Sequence, residues 1–222
     1  MEDANHSKLI KIYDILLNHF GKQNWWPIIG SKKTKRLEII IGAILTQNTS
    51  WKNVEKAIKN LVEKRLISRE KIIKIKEEEL ENIIKPCGFY RQKAKRLKEA
   101  LKRIKGNVTR EKLLKINGIG KETCDAILLY AYEKPYFVID AYTRRILERT
   151  GILKNAFKMD YDELQRFFHE NLPKDIEVYK EYHALLDELA KNYCKKKSPL
   201  CEKCPIVAIC DFGMNSRSKN KR

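Results

Sequence analysis

Cys194, Cys201, Cys204 and Cys210 are separated by six, two and five residues. Four thiolates on one short loop suit either zinc or an iron–sulfur cluster. Paired C-x2-C knuckles would favour zinc, and this loop has a single close pair. Cys87 and Cys124 lie outside the spacing and are expected to pack as small hydrophobic residues. Asp140 follows the apolar pair Val138-Ile139 and precedes a helical stretch, where the helix end keeps a carboxylate ionised. Such a group either caps the helix or takes part in acid–base chemistry. In Gly118-Ile119-Gly120, two glycines let the backbone turn tightly and bring bare N–H groups to a helix N-terminus, where an anion is favoured. Lys121 follows at once. The adjacent pair Trp25-Trp26 points to two faces, so core packing accounts for one of them, and an exposed aromatic face stacks well on a flat base.

The elements that must position these groups read as helices. Val54, Ile58, Leu61 and Val62 recur at helical spacing, as do Ala94, Leu97, Leu101 and Ile104, and later Tyr182, Leu185, Leu186 and Leu189. No stretch shows sustained strand alternation, so the expected class is all-α. Ser68 has the character of an N-cap, Asp160 or Asp162 that of another, and Pro86 with Gly88 closes the helix carrying Ile83 and Ile84. Lys134-Pro135-Tyr136-Phe137 and the stretch 154–160 break the pattern. The basic tail from Asn215 to Arg222 is expected to fray.

The 222 residues allow one large domain or two small lobes. Lys and Arg outnumber Asp and Glu by 47 to 29, a formal charge of +18, which favours a polyanionic partner through counterion release. Genome bias or a hot habitat would also enrich lysine. No apolar run is long enough to span a bilayer, and Met1-Glu2-Asp3-Ala4-Asn5-His6 lacks the layout of a secretory signal. The expected location is the cytoplasm.

Ile116-Asn117-Gly118-Ile119-Gly120 followed by Val138-Ile139-Asp140-Ala141-Tyr142-Thr143-Arg144-Arg145 resembles the helix-hairpin-helix and Asp signature of the endonuclease III superfamily of DNA glycosylases. The resemblance runs from about Ile41 to Cys210 and takes in Leu45-Thr46-Gln47-Asn48-Thr49, Gly88-Phe89-Tyr90-x-x-Lys93-Ala94 and the cysteine loop. It implies two helical lobes: a barrel with the hairpin over residues 28–136, and a second lobe from 1–27 and 137–222 with the aspartate and a [4Fe–4S] loop. DNA and a flipped base would lie between them. Gly118, Gly120 and Lys121 would grip a DNA phosphate, Gln47 assisted by Asn48 would fill the hole left by the flipped base, and Asp140 would carry catalysis. Cys194, Cys201, Cys204 and Cys210 would ligate the cluster, with nearby lysines touching phosphate or simply solvated.

Bifunctional members carry a lysine nucleophile two residues after the second hairpin glycine. Here that position holds Glu122. The expectation is a monofunctional glycosylase, a monomer on double-stranded DNA, nucleoid-associated when bound. Trp25-Trp26-Pro27 resembles the 3-methyladenine DNA glycosylase III branch, and archaeal relatives remove uracil, so both substrate classes stay open. Trp51 is a weaker pocket candidate. Competing readings are a bifunctional glycosylase/lyase for oxidised bases, a non-catalytic hairpin DNA-binding protein, and a zinc-binding regulator.

Overall fold

The computed structural model describes residues 2–219, with side chains described from His6 to Ser216. The chain divides into two compact units, Trp26–Lys134 and a second made of Met1–Trp25 with Pro135–Arg222. The sequence boundaries of 27/28 and 136/137 differ from these divisions by two residues. No helix of the described residues is long and apolar enough to cross a membrane.

The Trp26–Lys134 unit holds α2 (Lys35–Leu45), α3 (Trp51–Glu63), α4 (Arg69–Lys74), α5 (Glu77–Ile84), α6 (Tyr90–Arg103), α7 (Arg110–Leu114) and α8 (Lys121–Ala126). Val54, Ala57, Ile58 and Leu61 on α3 form one buried stripe, as do Ala94, Leu97 and Leu101 on α6. α2 is apolar on nearly all sides, and α3, α6 and α8 pack around it. Ser68 caps α4 by accepting from Lys71 N, and Thr109 caps α7 by accepting from Lys112 N. α5 ends at Ile84 in a tight turn through Pro86 to Gly88, whose φ is +64°. After α8 the chain widens into a π-helical turn, Ile127–Ala131, that buries five consecutive side chains.

The other unit contains α1 (Glu2–Phe20), α9 (Ala141–Thr150), α10 (Tyr161–Asn171), α11 (Ile176–Asn192) and α12 (Asp211–Lys219). Its core is an aromatic cluster in which Phe137 stacks on Phe168 at 3.9 Å, flanked edge-on by Tyr179 and Tyr182. Asp160, rather than Asp162, caps α10. The basic tail begins inside a helix: Asn215–Lys219 continue the helix begun at Asp211. α12 packs on α9, with Asp211 paired to Lys8 at 2.9 Å and Phe212 under the Arg149 guanidinium at 4.8 Å, contacts that anchor its first turn. Residues 220–222 of that tail lie outside the described residues.

Candidate active site

Asp140 ends a buried extended segment, Phe137–Ile139, which has no sheet partner among the described residues to satisfy its backbone. α10 supplies the partners from one face, spaced by four residues. Tyr161 Oη accepts from Ile139 N at 3.2 Å, Gln165 Nε2 donates to Phe137 O at 2.7 Å, and His169 Nε2 accepts from Phe137 N at 3.1 Å. The segment delivers Asp140 to the N-cap of α9, where Oδ1 accepts from Thr143 N at 2.7 Å. One carboxylate oxygen is thereby fixed. The other, Oδ2, stands 3.9 Å from His183 Nε2, an ion pair when the imidazole is protonated.

His183 begins a polar stripe on α11, followed one turn at a time by Asp187 and Lys191. Lys191 Nζ is 2.7 Å from Asp187 Oδ2 and 5.4 Å from the centroid of the Trp25 ring. Burial, together with the Asp140 carboxylate, holds the Asp187 carboxyl above its ordinary range against the opposing pull of His183 and Lys191. Burial pulls the Lys191 ammonium down, but Asp187 and Glu188 more than offset this and leave it above its usual value. Asp140, His183, Asp187, Lys191 and Trp25 thus form one charged, half-buried group. Sequence reading missed the α11 members because their neighbours Leu185, Leu186 and Leu189 carried the periodic signal. The i, i+4, i+8 spacing of three ionisable residues was the available sign.

Trp26 faces other partners. It meets Trp51 edge-on at 5.2 Å and Tyr130 at 5.4 Å, and lies so close to Gly42 of α2 that a Cβ there would stand 2.8 Å from its ring. Trp25 and Trp26 therefore join separate clusters, one in each unit.

The hairpin runs from α7 through Lys115–Gly120 into α8. Arg110 ties the two helices by a bidentate pair to the buried Asp125, at 2.8 and 3.1 Å. Its two glycines play different parts. Gly118 has φ +85°, and a Cβ would stand 2.5 Å from Arg96 Cδ, so backbone and packing both demand glycine. Gly120 has φ −84° and nothing within 4 Å of an added Cβ, so the protein itself does not require its smallness. It opens α8, whose first-turn N–H groups have no partners within the helix. Lys121 is half-buried and Glu122 exposed in that turn.

Gln47 joins this hairpin: its Nε2 donates to Gly118 O at 2.8 Å and Thr123 Oγ1 at 3.0 Å, and its Oε1 accepts from Arg96 at 3.3 Å. Asn48 beside it is exposed with φ +53°. The buried amine of Lys93 sets the start of this turn by donating to Leu45 O at 3.0 Å and Cys87 O at 2.8 Å, with burial holding it below its ordinary pKa. Phe89, a bulky residue with φ +46°, is 68 % exposed at the head of α6. Positive φ and high exposure coincide at Phe89, which sequence reading had treated as part of a motif without a role.

Cys194, Cys201, Cys204 and Cys210 line one pocket walled by Ile146, Val207 and Phe212. Burial and the other three cysteines push the Cys204 thiol up to about 11. Such crowding of thiols is relieved when they share bound cations. The backbone at Ile206 counters the rise at Cys204, and that at Gly213 and Phe212 counters it at Cys210, while Arg149 donates to Cys194 Sγ at 3.3 Å and its carbonyl accepts from Cys210 Sγ at 3.3 Å. Hydrogen bonds to sulfur of this kind stabilise thiolates around a cluster, so the donor set fits one. Among the described residues, no group of three or more His, Cys, Asp or Glu is arranged to hold a single metal ion. Cys87 and Cys124 are buried apart from this pocket, their thiols raised to about 11 and about 12, first by burial.

Residues 41–174 match the model of the HhH-GPD superfamily, base excision DNA repair proteins. The chain belongs to that family. It is 47% identical to a putative DNA repair glycosylase of Methanocaldococcus jannaschii over 225 residues, covering 95% of this chain and 99% of the relative. It is 32% identical to the crystal structure of H. pylori 3-methyladenine DNA glycosylase bound to 1,N6-ethenoadenine, with a TM-score of 0.71 over 84% of this chain and 97% of that one. Its fold is shared with endonuclease III in a non-covalent DNA complex, at TM-score 0.83 and 22% identity over 96% and 98% of the two chains.

Proposed function

We propose that this protein is a monofunctional DNA glycosylase that removes uracil or an alkylated purine from duplex DNA and leaves an abasic site. The observation that carries the reading is Asp140. Its Oδ1 is locked by the α9 cap, so Oδ2 is held in a fixed place, where a carboxylate stabilises oxocarbenium-like charge or activates the attacking water. Glu122 supports the monofunctional half of the reading: an exposed carboxylate, not an amine, occupies the hairpin position where bifunctional relatives carry their nucleophile. Lys121 is one residue away, rotated by about 100° around the helix.

The hairpin holds a phosphate at Gly118, Gly120 and Lys121, and the open space around Gly120 supports this role. Gln47, with Asn48, enters the space of the flipped base, and exposed Phe89 acts as an apolar wedge. Trp25 and Trp26 offer aromatic faces for the base. Similarity to a 3-methyladenine glycosylase at 32% identity supports the alkylated-purine class. The four cysteines hold a [4Fe–4S] cluster, which supplies a rigid cross-link for the loop. The protein acts as a monomer in the cytoplasm, associated with the nucleoid.

A panel of duplexes with one lesion each, scored for base release with and without alkali, tests the reading. Strand breaks that need alkali are expected for uracil or methylated purines. Breaks without alkali, or a covalent complex trapped by borohydride, would overturn it.

A further inference from the structure

At the far end of α2 from Gln47 lies a second concave, strongly basic feature. A cleft of about 570 Å³ is lined by Lys32, Lys33, Lys35, Arg36, Arg69 and Tyr132, among others. The helical rise puts Lys35 and Leu45 about 15 Å apart along α2, so this cleft is separate from the turn that meets the hairpin.

Two of its cations are held by backbone carbonyls. Arg36 Nε donates to Ala131 O at 3.2 Å while its guanidinium lies over the Tyr132 ring at 5.3 Å. The Arg69 guanidinium donates to Leu101 O at 2.7 Å and to Ile104 O. Both arginines act on the Tyr132 hydroxyl, opposing the rise that burial causes. The rim carries open charge: Lys32, Lys33 and Lys35 are all exposed. Glu133 is the single acid among the lining residues. Glu38, in the first turn of α2, is not among the lining residues: its carboxylate is buried and turned to the backbone, where it accepts from Ile29 N at 2.5 Å and Gly30 N at 2.9 Å.

Two guanidiniums held by backbone carbonyls, beside three exposed ammonium groups, suit repeated phosphates better than one enclosed small anion. We propose that this cleft is a second contact for a nucleic-acid phosphodiester backbone, gripping a stretch that does not carry the damaged base. The contact is independent of sequence, adds to residence on undamaged DNA, and makes that binding steeply salt-dependent.

The test uses the full chain and an undamaged duplex of about 25 base pairs, longer than two helical turns. A variant combining Lys32→Gln, Lys33→Gln and Lys35→Gln is compared with the parent by fluorescence anisotropy over a range of salt, with circular dichroism as the folding control. Binding at low salt should weaken at least about tenfold, and the slope of log K against log salt should fall by about two to three. A slope within about 0.5 of the parent's would overturn the proposal. So would an equal fall in a charge-matched control, Lys64→Gln, Lys102→Gln and Lys105→Gln. Because no lesion is present, this result is separate from the base-release panel that tests the glycosylase reading.

Discussion

Lys191 Nζ lies 5.4 Å from the centroid of the Trp25 ring, over one face of a ring proposed to stack on the base. A cationic base and a lysine ammonium compete for that face. Lys191→Met frees it and should shift kcat/KM toward cationic methylated purines over neutral uracil, by about 5-fold or more from a cation–π contribution of about 1 kcal/mol. Parallel kinetics on the two lesions measure the ratio, and a ratio equal to the parent's would remove Trp25 from base recognition.

Asp140→Asn separates catalysis from capping. Asn is as good an N-cap as Asp, so the thermal midpoint should stay close to the parent's while single-turnover base release falls by about 10²–10⁴. Asp140→Ala should also lose about 1 kcal/mol of stability with the cap. Unchanged base release by the Asn variant would assign the residue to capping alone.

The two hairpin glycines should respond differently to alanine. At Gly118, positive φ and the Arg96 side chain make Gly118→Ala destabilising by about 1 kcal/mol or more. Gly120→Ala should leave stability within about 1 kcal/mol, the gain in chain stiffness roughly offsetting a poorer cap. Its affinity for duplex DNA should nonetheless drop, since the new methyl group occupies the space proposed for a phosphate. Equal DNA affinity for Gly120→Ala and the parent would refute the phosphate grip there.

Asp187 carries a pH signature. A native carboxyl with a raised pKa holds its proton more tightly than the unfolded chain, where Asp titrates near about 3.9. Its contribution favours the native state below that pH and is lost as pH rises through the raised native value. Asn cannot ionise, so the Tm of Asp187→Asn should improve relative to the parent between about pH 3 and pH 7. A relative Tm that falls over this interval would mean that Lys191 outweighs burial.

The cysteine pocket predicts iron and acid-labile sulfide in equal amounts. Cys201→Ser should lose the brown colour and lower the thermal midpoint. Purification with zinc and no iron would overturn the cluster.

The all-helical class, the hairpin and the cysteine loop were legible because each leaves a short-range mark: a 3.6-residue period, a glycine pair, a thiol spacing. The α10 ladder of Tyr161, Gln165 and His169 was not, since its partners are backbone atoms more than twenty residues away. Lys93 was quoted within a motif, but its burial and two carbonyl acceptors follow from tertiary packing that a single lysine does not announce. The family likeness offered Gln47 as a wedge, while its three hydrogen bonds to Gly118, Thr123 and Arg96 became visible only once the hairpin was folded against α2.

α9 begins just after Asp140; from its middle Arg145 donates to Cys194 O, and from its last turn Arg149 donates to Lys195 O and Lys196 O. One rod of ten residues joins the carboxylate to the cysteine loop. In a genetic screen, lesions in Arg145 or Arg149 should therefore be recovered as repair-deficient alleles alongside Asp140 itself. Their defect would map to the shaft and far end of a lever rather than to any residue that meets the damaged base.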